Sequence, residues 1–205
     1  MSPPPTVFVV DDDAAVLKSL SRLLRSAGLA VATFSSPRQF LDRHDPDTPG
    51  CLVLDVAMPG LNGLELQQAL IASGHELPII FLTGHGDIPM TVQAMKRGAV
   101  DFLTKPVNDE NLLKAIRVAI EKDRLQRQAR ANVTEIQQRL ATLTPREREV
   151  LQHVISGQLN KQIAADLGTV EKTVKVHRAR VMQKMKVQSV AELVRLAERA
   201  GFGRK

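Results

Sequence analysis

The 205-residue chain contains no tryptophan and no tyrosine, and its aromatic side chains amount to six phenylalanines and five histidines. Packing must therefore rest on aliphatic residues. A composition of 43% hydrophobic and 24% charged residues is that of a globular protein. The single cysteine, Cys51, excludes an intramolecular disulfide and suits a reducing cytoplasm. Its place at the head of an apolar run reads as inert burial. No apolar run approaches the roughly 18 residues of a membrane span, and Met1-Ser2-Pro3-Pro4-Pro5 lacks the basic and apolar regions of a signal peptide. The expected compartment is the cytoplasm, with no membrane partner. A phosphate loop of the G-x-x-x-x-G-K-S/T kind is missing, which argues against an ATPase, and the histidines show no metal-ligand spacing.

The length exceeds the common single-domain size of about 100 to 150 residues, so two domains are expected. Charge divides the chain unevenly. Residues 1–122 carry 11 Lys and Arg against 14 Asp and Glu, net −3, whereas residues 123–205 carry 17 against 8, net +9. A basic C-terminal part of this size points to a phosphate-bearing partner, nucleic acid before membrane.

In the acidic part, residues 51–55 form a short apolar run that ends on Asp55, with Pro59, Gly60 and Gly63 following. This pattern reads as a buried parallel strand delivering an acid into a loop. Four further strands are expected at residues 6–10, 30–34, 78–82 and 100–103. Helical periodicity or capping residues follow each, as at Ser36-Pro37-Arg38-Gln39 and at Asn62 with Glu65. Alternation of this kind predicts an α/β doubly wound, five-stranded parallel sheet with helices on both faces.

Polar residues at the carboxyl ends of such strands gather where ligands bind. Here they are Asp11 and Asp12, Asp55, Thr83 and Lys105. Three carboxylates in a small space need a counter-charge, and hard oxygen ligands suit Mg²⁺ (or Mn²⁺) better than zinc or copper. A lysine and a hydroxyl beside them would complete a cradle for a phosphoryl group, with Asp55 as nucleophile. Taken singly, each residue also has a plain structural reading, as a helix cap for Asp55 and Thr83 or a salt bridge for Lys105.

On these residues, the stretch 1–122 resembles a response-regulator receiver domain. The resemblance implies that Asp11 and Asp12 are the acidic metal pair and Asp55 the phospho-acceptor. Lys105, followed by the commonly cis Pro106, becomes the family lysine, with Thr83 and Phe102 as switch hydroxyl and switch aromatic. The backbone carbonyl of Ala57 would complete the metal ligands. Ala57 itself departs from the longer side chain that many members carry, which bears on dephosphorylation kinetics. The implied donor is a sensor histidine kinase. The remodelled face would put Val92, Lys96 and Asp101 at a dimer contact formed on phosphorylation; the same residues equally suit a solvated helix face.

Apolar residues mostly three or four apart continue from Leu113 to Leu143 among Arg, Lys and Gln, which predicts a helical linker over residues 123–142. Beyond it, residues 143–205 read as all-α. Thr144-Pro145-Arg146-Glu147 and Ser189-Val190-Ala191-Glu192 each open a helix by a capping box, and Gly157 and Gly168 end two short helices. The pair before and after Gly168 has the form of a helix-turn-helix. Leu143-Thr144-Pro145-Arg146-Glu147, Asn160-Lys161-Gln162-Ile163-Ala164 and Lys172-Thr173-Val174-Lys175-Val176-His177-Arg178 are similar to the LuxR-type DNA-binding domain. That resemblance implies that Lys175 and Val176 meet base edges of a double-stranded operator, while Lys161, Lys172, Thr173, Arg178 and Lys184 mostly hold phosphates. Glu147 is implied to be a structural cap, and His177 is either a groove contact or a structural histidine. Val170 stands where the family usually caps the recognition helix with Ser or Thr. Thr169 or a shifted helix start would compensate.

The two parts together resemble the FixJ and NarL subfamily of two-component transcription regulators, on the FixJ side through Gly84-His85-Gly86-Asp87-Ile88-Pro89-Met90 and Gly201-Phe202-Gly203. Such a protein is no enzyme beyond Mg-dependent self-phosphorylation and dephosphorylation of Asp55, and RNA polymerase joins the implied partners. Two other classes compete. An aspartate-nucleophile phosphatase would carry a second acid where Ala57 stands, and an interaction module would sequester partners without binding DNA.

Overall fold

The computed structural model describes residues 4–84 and 88–203. The expectations placed on Met1, Ser2 and Pro3, on His85, Gly86 and Asp87, and on Arg204 and Lys205 lie outside the described residues. The chain forms two compact units, one ending at Arg127 and the other beginning at Gln128.

The first unit alternates β1 (Thr6–Val10), α1 (Ala14–Ser26), β2 (Ala30–Phe34), α2 (Pro37–Arg43), β3 (Gly50–Asp55), α3 (Gly63–Ala72), β4 (Ile79–Thr83), α4 (Ile88–Lys96), β5 (Asp101–Thr104) and α5 (Asp109–Ala141). All strand pairs are parallel, in the order β2-β1-β3-β4-β5. Strand residues alternate between faces, so each central strand feeds two cores. Phe8, Val10, Leu52, Leu54 and Phe81 pack with Phe40, Leu66, Leu70 and Ala94 on one side. Val7, Val9, Cys51, Val53, Ile80 and Leu82 pack with Leu20, Leu24, Leu112, Ile116 and Ala119 on the other. Burial on both faces explains why β3 and β4 read as unbroken apolar runs rather than as alternating ones. Cys51 is fully buried among these residues, and burial pushes its thiol pKa up to about 12, which keeps it inert.

Local chemistry sets the boundaries. Asp13, rather than its two acidic neighbours, caps α1, accepting from the Ala15 and Val16 amides at 2.7 and 3.4 Å. Ser36 caps α2 with Pro37 at the first helical position, and Asn62 and Glu65 cap α3 reciprocally. β4 starts one residue later than expected because Pro78 has no N–H for the ladder, although its carbonyl accepts from Leu52 at 2.9 Å. Gly50 lets β3 lie against β1: a Cβ there would stand 1.8 Å from the Thr6 carbonyl oxygen.

The second unit holds the last turns of α5 with α6 (Pro145–Ile155), α7 (Asn160–Asp166), α8 (Glu171–Met185) and α9 (Val190–Arg199). Ile136, Leu140, Leu143, Val150, Leu151, Val154, Ile163, Val174, Val181, Met185 and Leu193 form its core. Thr144 and Glu147 make the expected capping box. At α9 the box is displaced by one residue: Ser189 accepts from the Glu192 amide at 3.2 Å, while the Glu192 carboxylate accepts from Gln188 rather than Ser189. Val170 occupies the N-cap of α8 with no side-chain hydrogen bond, so neither Thr169 nor a shifted start replaces the missing hydroxyl.

Candidate functional site

The strand order reverses between β1, which is followed by β2 on one side, and β3 on the other. At their carboxyl ends stand Asp11 and Asp55, 1% and 4% exposed. In-register pairing of Asp55 with Leu82 and of Thr83 with Thr104 brings the ends of β4 and β5 to the same level. The five residues singled out at strand ends thus converge. One carboxylate oxygen each of Asp11, Asp12 and Asp55 lie within 4.8 Å of one another, with Asp12 exposed. Lys105, just past β5, places its Nζ 2.6 Å from Asp11 Oδ2 and 2.9 Å from Asp55 Oδ1. Thr83 is buried at the end of β4, and its carbonyl accepts from the Lys105 amide at 2.7 Å. The Lys105–Pro106 peptide bond is cis.

Burial drives the Asp55 carboxyl pKa upward, with Asp11 and Asp12 adding to the rise and the Lys105 ammonium opposing it. The same pairing holds the Lys105 pKa up against its own desolvation. Excess negative charge in a partly buried pocket favours a further cation, and the donor set is wholly of hard oxygens, so these residues fit a small divalent ion. Ala57 is exposed two residues beyond Asp55. Phe102 on β5 is half-buried, its ring centroid 5.9 Å from that of Phe81.

The sequence reading took Gly63 only as a loop residue following Asp55, and its packing role was not foreseen. A Cβ there would stand 2.3 Å from the Asp55 carbonyl oxygen, and its amide donates to Val56 at 3.1 Å. The start of α3 can sit against the end of β3 only because this residue lacks a side chain. The one available signal was a Gly at the first helical position, where no turn requires it.

In the second unit, Lys161, Lys172, Lys175 and Val176 are exposed on α7 and α8, Val176 to 45%. Lys175 pairs with Glu171 at 2.9 Å, Thr173 is half-buried, and Arg178 donates to Asn160 Oδ1 at 2.9 Å. Lys184 also belongs to the residues expected to hold phosphates. Its ammonium turns inward to Glu147 Oε2 at 2.6 Å and to the Thr142 carbonyl at 3.0 Å. Glu147 is 2% exposed, and a buried carboxylate needs a cation beside it. The Lys184 hydrogen bond, aided by the Thr144 cap, holds the Glu147 pKa below its ordinary value. His177 is half-buried with Nδ1 shut from solvent and unpartnered among the described residues, which suits a structural histidine better than a groove contact.

Of the residues tied to a dimer, Val92 and Lys96 are exposed on α4. Asp101 is half-buried, and its Oδ1 accepts from the Phe102 amide at 2.8 Å. Val92 lies on α4 between two other exposed apolar side chains, Ile88 and Met95.

Residues 7–117 match the response regulator receiver domain family, and residues 141–197 match the luxR family of bacterial regulatory proteins. The chain is 51% identical over 196 residues to Nodulation protein W of Bradyrhizobium diazoefficiens, covering 96% of this chain and 86% of that protein. It is 48% identical over 195 residues to the transcriptional regulatory protein FixJ of Azorhizobium caulinodans, covering 95% and 92%. The solved structure of the response regulator StyR superposes with a TM-score of 0.86 at 52% identity, covering 96% of this chain and 99% of that one. With the receiver-type sheet, its acidic pocket and a separate basic helix-turn-helix unit in place, this chain belongs to the response regulators that join a receiver domain to a LuxR-type DNA-binding domain, with FixJ among its homologues.

Proposed function

We propose that Asp55 accepts a phosphoryl group from a sensor histidine kinase and that this modification controls dimerisation and sequence-specific binding to a double-stranded DNA operator. One observation carries the reading: Asp55, Asp11 and Lys105 are hydrogen-bonded neighbours within a buried pocket at the switch point of the sheet, with Thr83 on the adjacent strand end. In the transfer, an Asp55 carboxylate oxygen attacks phosphorus as the bond to the donor imidazole breaks. The product is an acyl phosphate carrying about −1.5 to −2 charges.

Asp11, Asp12, Asp55 and the backbone carbonyl of Ala57 would hold Mg²⁺ or Mn²⁺. Such an ion neutralises charge on the transferring phosphoryl oxygens. The Lys105 ammonium, shared between Asp11 and Asp55 before transfer, follows the new oxygens. Thr83 donates its hydroxyl to one of them, and Phe102 turns toward the space it leaves. Self-phosphorylation and dephosphorylation of Asp55 would be the only chemistry the chain performs.

In the second unit, Lys175 and Val176 would meet base edges, while Lys161, Lys172 and Thr173 hold phosphates. Arg178 and Lys184 would act there only by leaving Asn160 and Glu147. The division that fits this reading is a receiver at 1–122, a helical linker at 123–142 and a DNA-binding part at 143–205. Val92, Lys96 and Asp101 border the proposed dimer contact, RNA polymerase is a further partner, and the compartment is the cytoplasm. Among the described residues no helix is long and apolar enough to cross a membrane.

The test is phosphoryl incorporation and DNA affinity in one preparation. Duplex fragments selected by the phosphorylated protein should bind at least tenfold more tightly after treatment with acetyl phosphate and Mg²⁺. Equal affinity before and after treatment would contradict the proposal.

A further inference from the structure

β1 ends at Val10 and Asp13 already caps α1, so Asp11 and Asp12 span the whole connection between strand and helix. Asp13 is exposed, yet three hydrogen bonds hold its backbone in place. Its side chain accepts from the Ala15 and Val16 amides at 2.7 and 3.4 Å, and its carbonyl accepts from the Leu17 amide at 3.0 Å. The Asp13 amide donates back to Asp11 Oδ1 at 2.9 Å, while Asp11 Oδ2 accepts from the Lys105 ammonium at 2.6 Å. These two donors differ in kind. An ammonium is a point charge on a flexible stem and follows its carboxylate, whereas a backbone amide at a capped helix start is fixed. Because the last torsion of an aspartate is broad, the plane of the Asp11 carboxylate is set by the rigid donor.

We propose that Asp13 is a positioning residue for the divalent cation: through its cap on α1 it aims its own amide at Asp11 Oδ1 and so holds the Asp11 carboxylate in one orientation for ligation. The inference rests on the reading that Asp11, Asp12 and Asp55 hold Mg²⁺. Its consequence is greatest after phosphoryl transfer, when Lys105 turns to the new oxygens and the Asp13 amide stays on Asp11. The Asp13 carboxylate acts by its shape rather than by its charge, since it is turned to the helix amides. A cap without charge therefore preserves the effect, and a charge without a cap does not.

The probe is Mg²⁺, titrated into the full ¹⁵N-labelled chain and followed by the amide chemical shifts of Val10, Asp55 and Val56. Asp13→Ala should bind about tenfold more weakly than the parent, the lower end of the loss when an outer hydrogen-bond partner of a metal ligand is disturbed. Asp13→Asn, which caps without a charge, should bind as the parent does. Asp13→Glu keeps the charge on a longer side chain that caps poorly, so it should be as weak as Asp13→Ala and carries the test should that variant not fold. Hydrogen exchange at the Asp13 amide should quicken in the Ala and Glu variants and not in the Asn variant. Ser36→Ala serves as the control for a lost cap elsewhere, because Ser36 Oγ accepts from the Gln39 amide at 3.2 Å at the start of α2, and its Mg²⁺ affinity should be that of the parent. No saturation in the parent would overturn the metal reading and the proposal together. With a saturating parent, equal binding by Asp13→Ala, weak binding by Asp13→Asn, or an equal loss in Ser36→Ala would overturn the proposal alone.

Discussion

Asp11, Asp12 and Asp13 are consecutive in the chain, yet the fold gives them three surroundings. Asp11 is buried against Lys105, Asp12 faces solvent beside the acidic cluster, and Asp13 caps α1. The sequence marked the triplet as acidic but did not say which of the three would cap the helix, because a cap is fixed by where the helix starts. The inward pairing of Lys184 was not legible for the same kind of reason. Its partner Glu147 is 37 residues away, and only the packing of α6 against α8 joins them. The pair carries a prediction. Because Lys184 holds the Glu147 pKa below its ordinary value of 4.5, the pair's stabilisation is full above that value and is lost as pH falls through the lower folded one. Glu147→Gln should therefore lower the stability of the second unit by about 1.5 to 3 kcal/mol at pH 7, the cost of a charged hydrogen bond. Denaturant unfolding at pH 7 and at pH 3 should show that difference shrink. A difference equal at both values would contradict the assignment.

Among the elements, the strands at the centre of the sheet were the most legible, because burial on both faces imposes unbroken apolar runs that end abruptly on polar residues. Their ends moved by one residue, at Gly50, at Thr83 and at Pro78, which lacks the N–H that a ladder needs. The contacts that hold α5 (Asp109–Ala141) were not legible, since they link residues 73 to 81 positions apart. Asp123, 4% exposed, accepts from the Gly50 amide at 2.9 Å and from Arg127 Nε. The Arg127 guanidinium also donates to the carbonyls of Pro46, Asp47 and Thr48. Removing it leaves a buried carboxylate without its cation. Arg127→Ala should thus cost the first unit about 2 to 3 kcal/mol, allowing for the partial exposure of Arg127, and should speed hydrogen exchange at the Gly50 amide. At α8 the opposite change is available. Val170→Ser supplies the missing cap hydroxyl and should stabilise the second unit by about 1 kcal/mol in thermal or denaturant unfolding.

The whole molecule divides its charge as it divides its chemistry, with net −3 over residues 1–122 and net +9 over 123–205. The acidic part collects carboxylates at the mouth of a parallel sheet, and the basic part exposes Lys161, Lys172 and Lys175 on a helix-turn-helix. If those lysines meet DNA phosphates and base edges, affinity should fall steeply with salt. Lys172→Ala should lower the slope of log affinity against log salt by about one, and Lys175→Ala should cost about 1 to 3 kcal/mol with loss of sequence preference. The most direct test of the central claim compares the parent chain with Asp55→Asn. Each is treated with acetyl phosphate and Mg²⁺, then assayed for added mass and for affinity to the selected duplex. The account predicts one phosphoryl group and at least tenfold tighter binding for the parent, and neither change for Asp55→Asn. The same gain of phosphate and affinity in Asp55→Asn would contradict it.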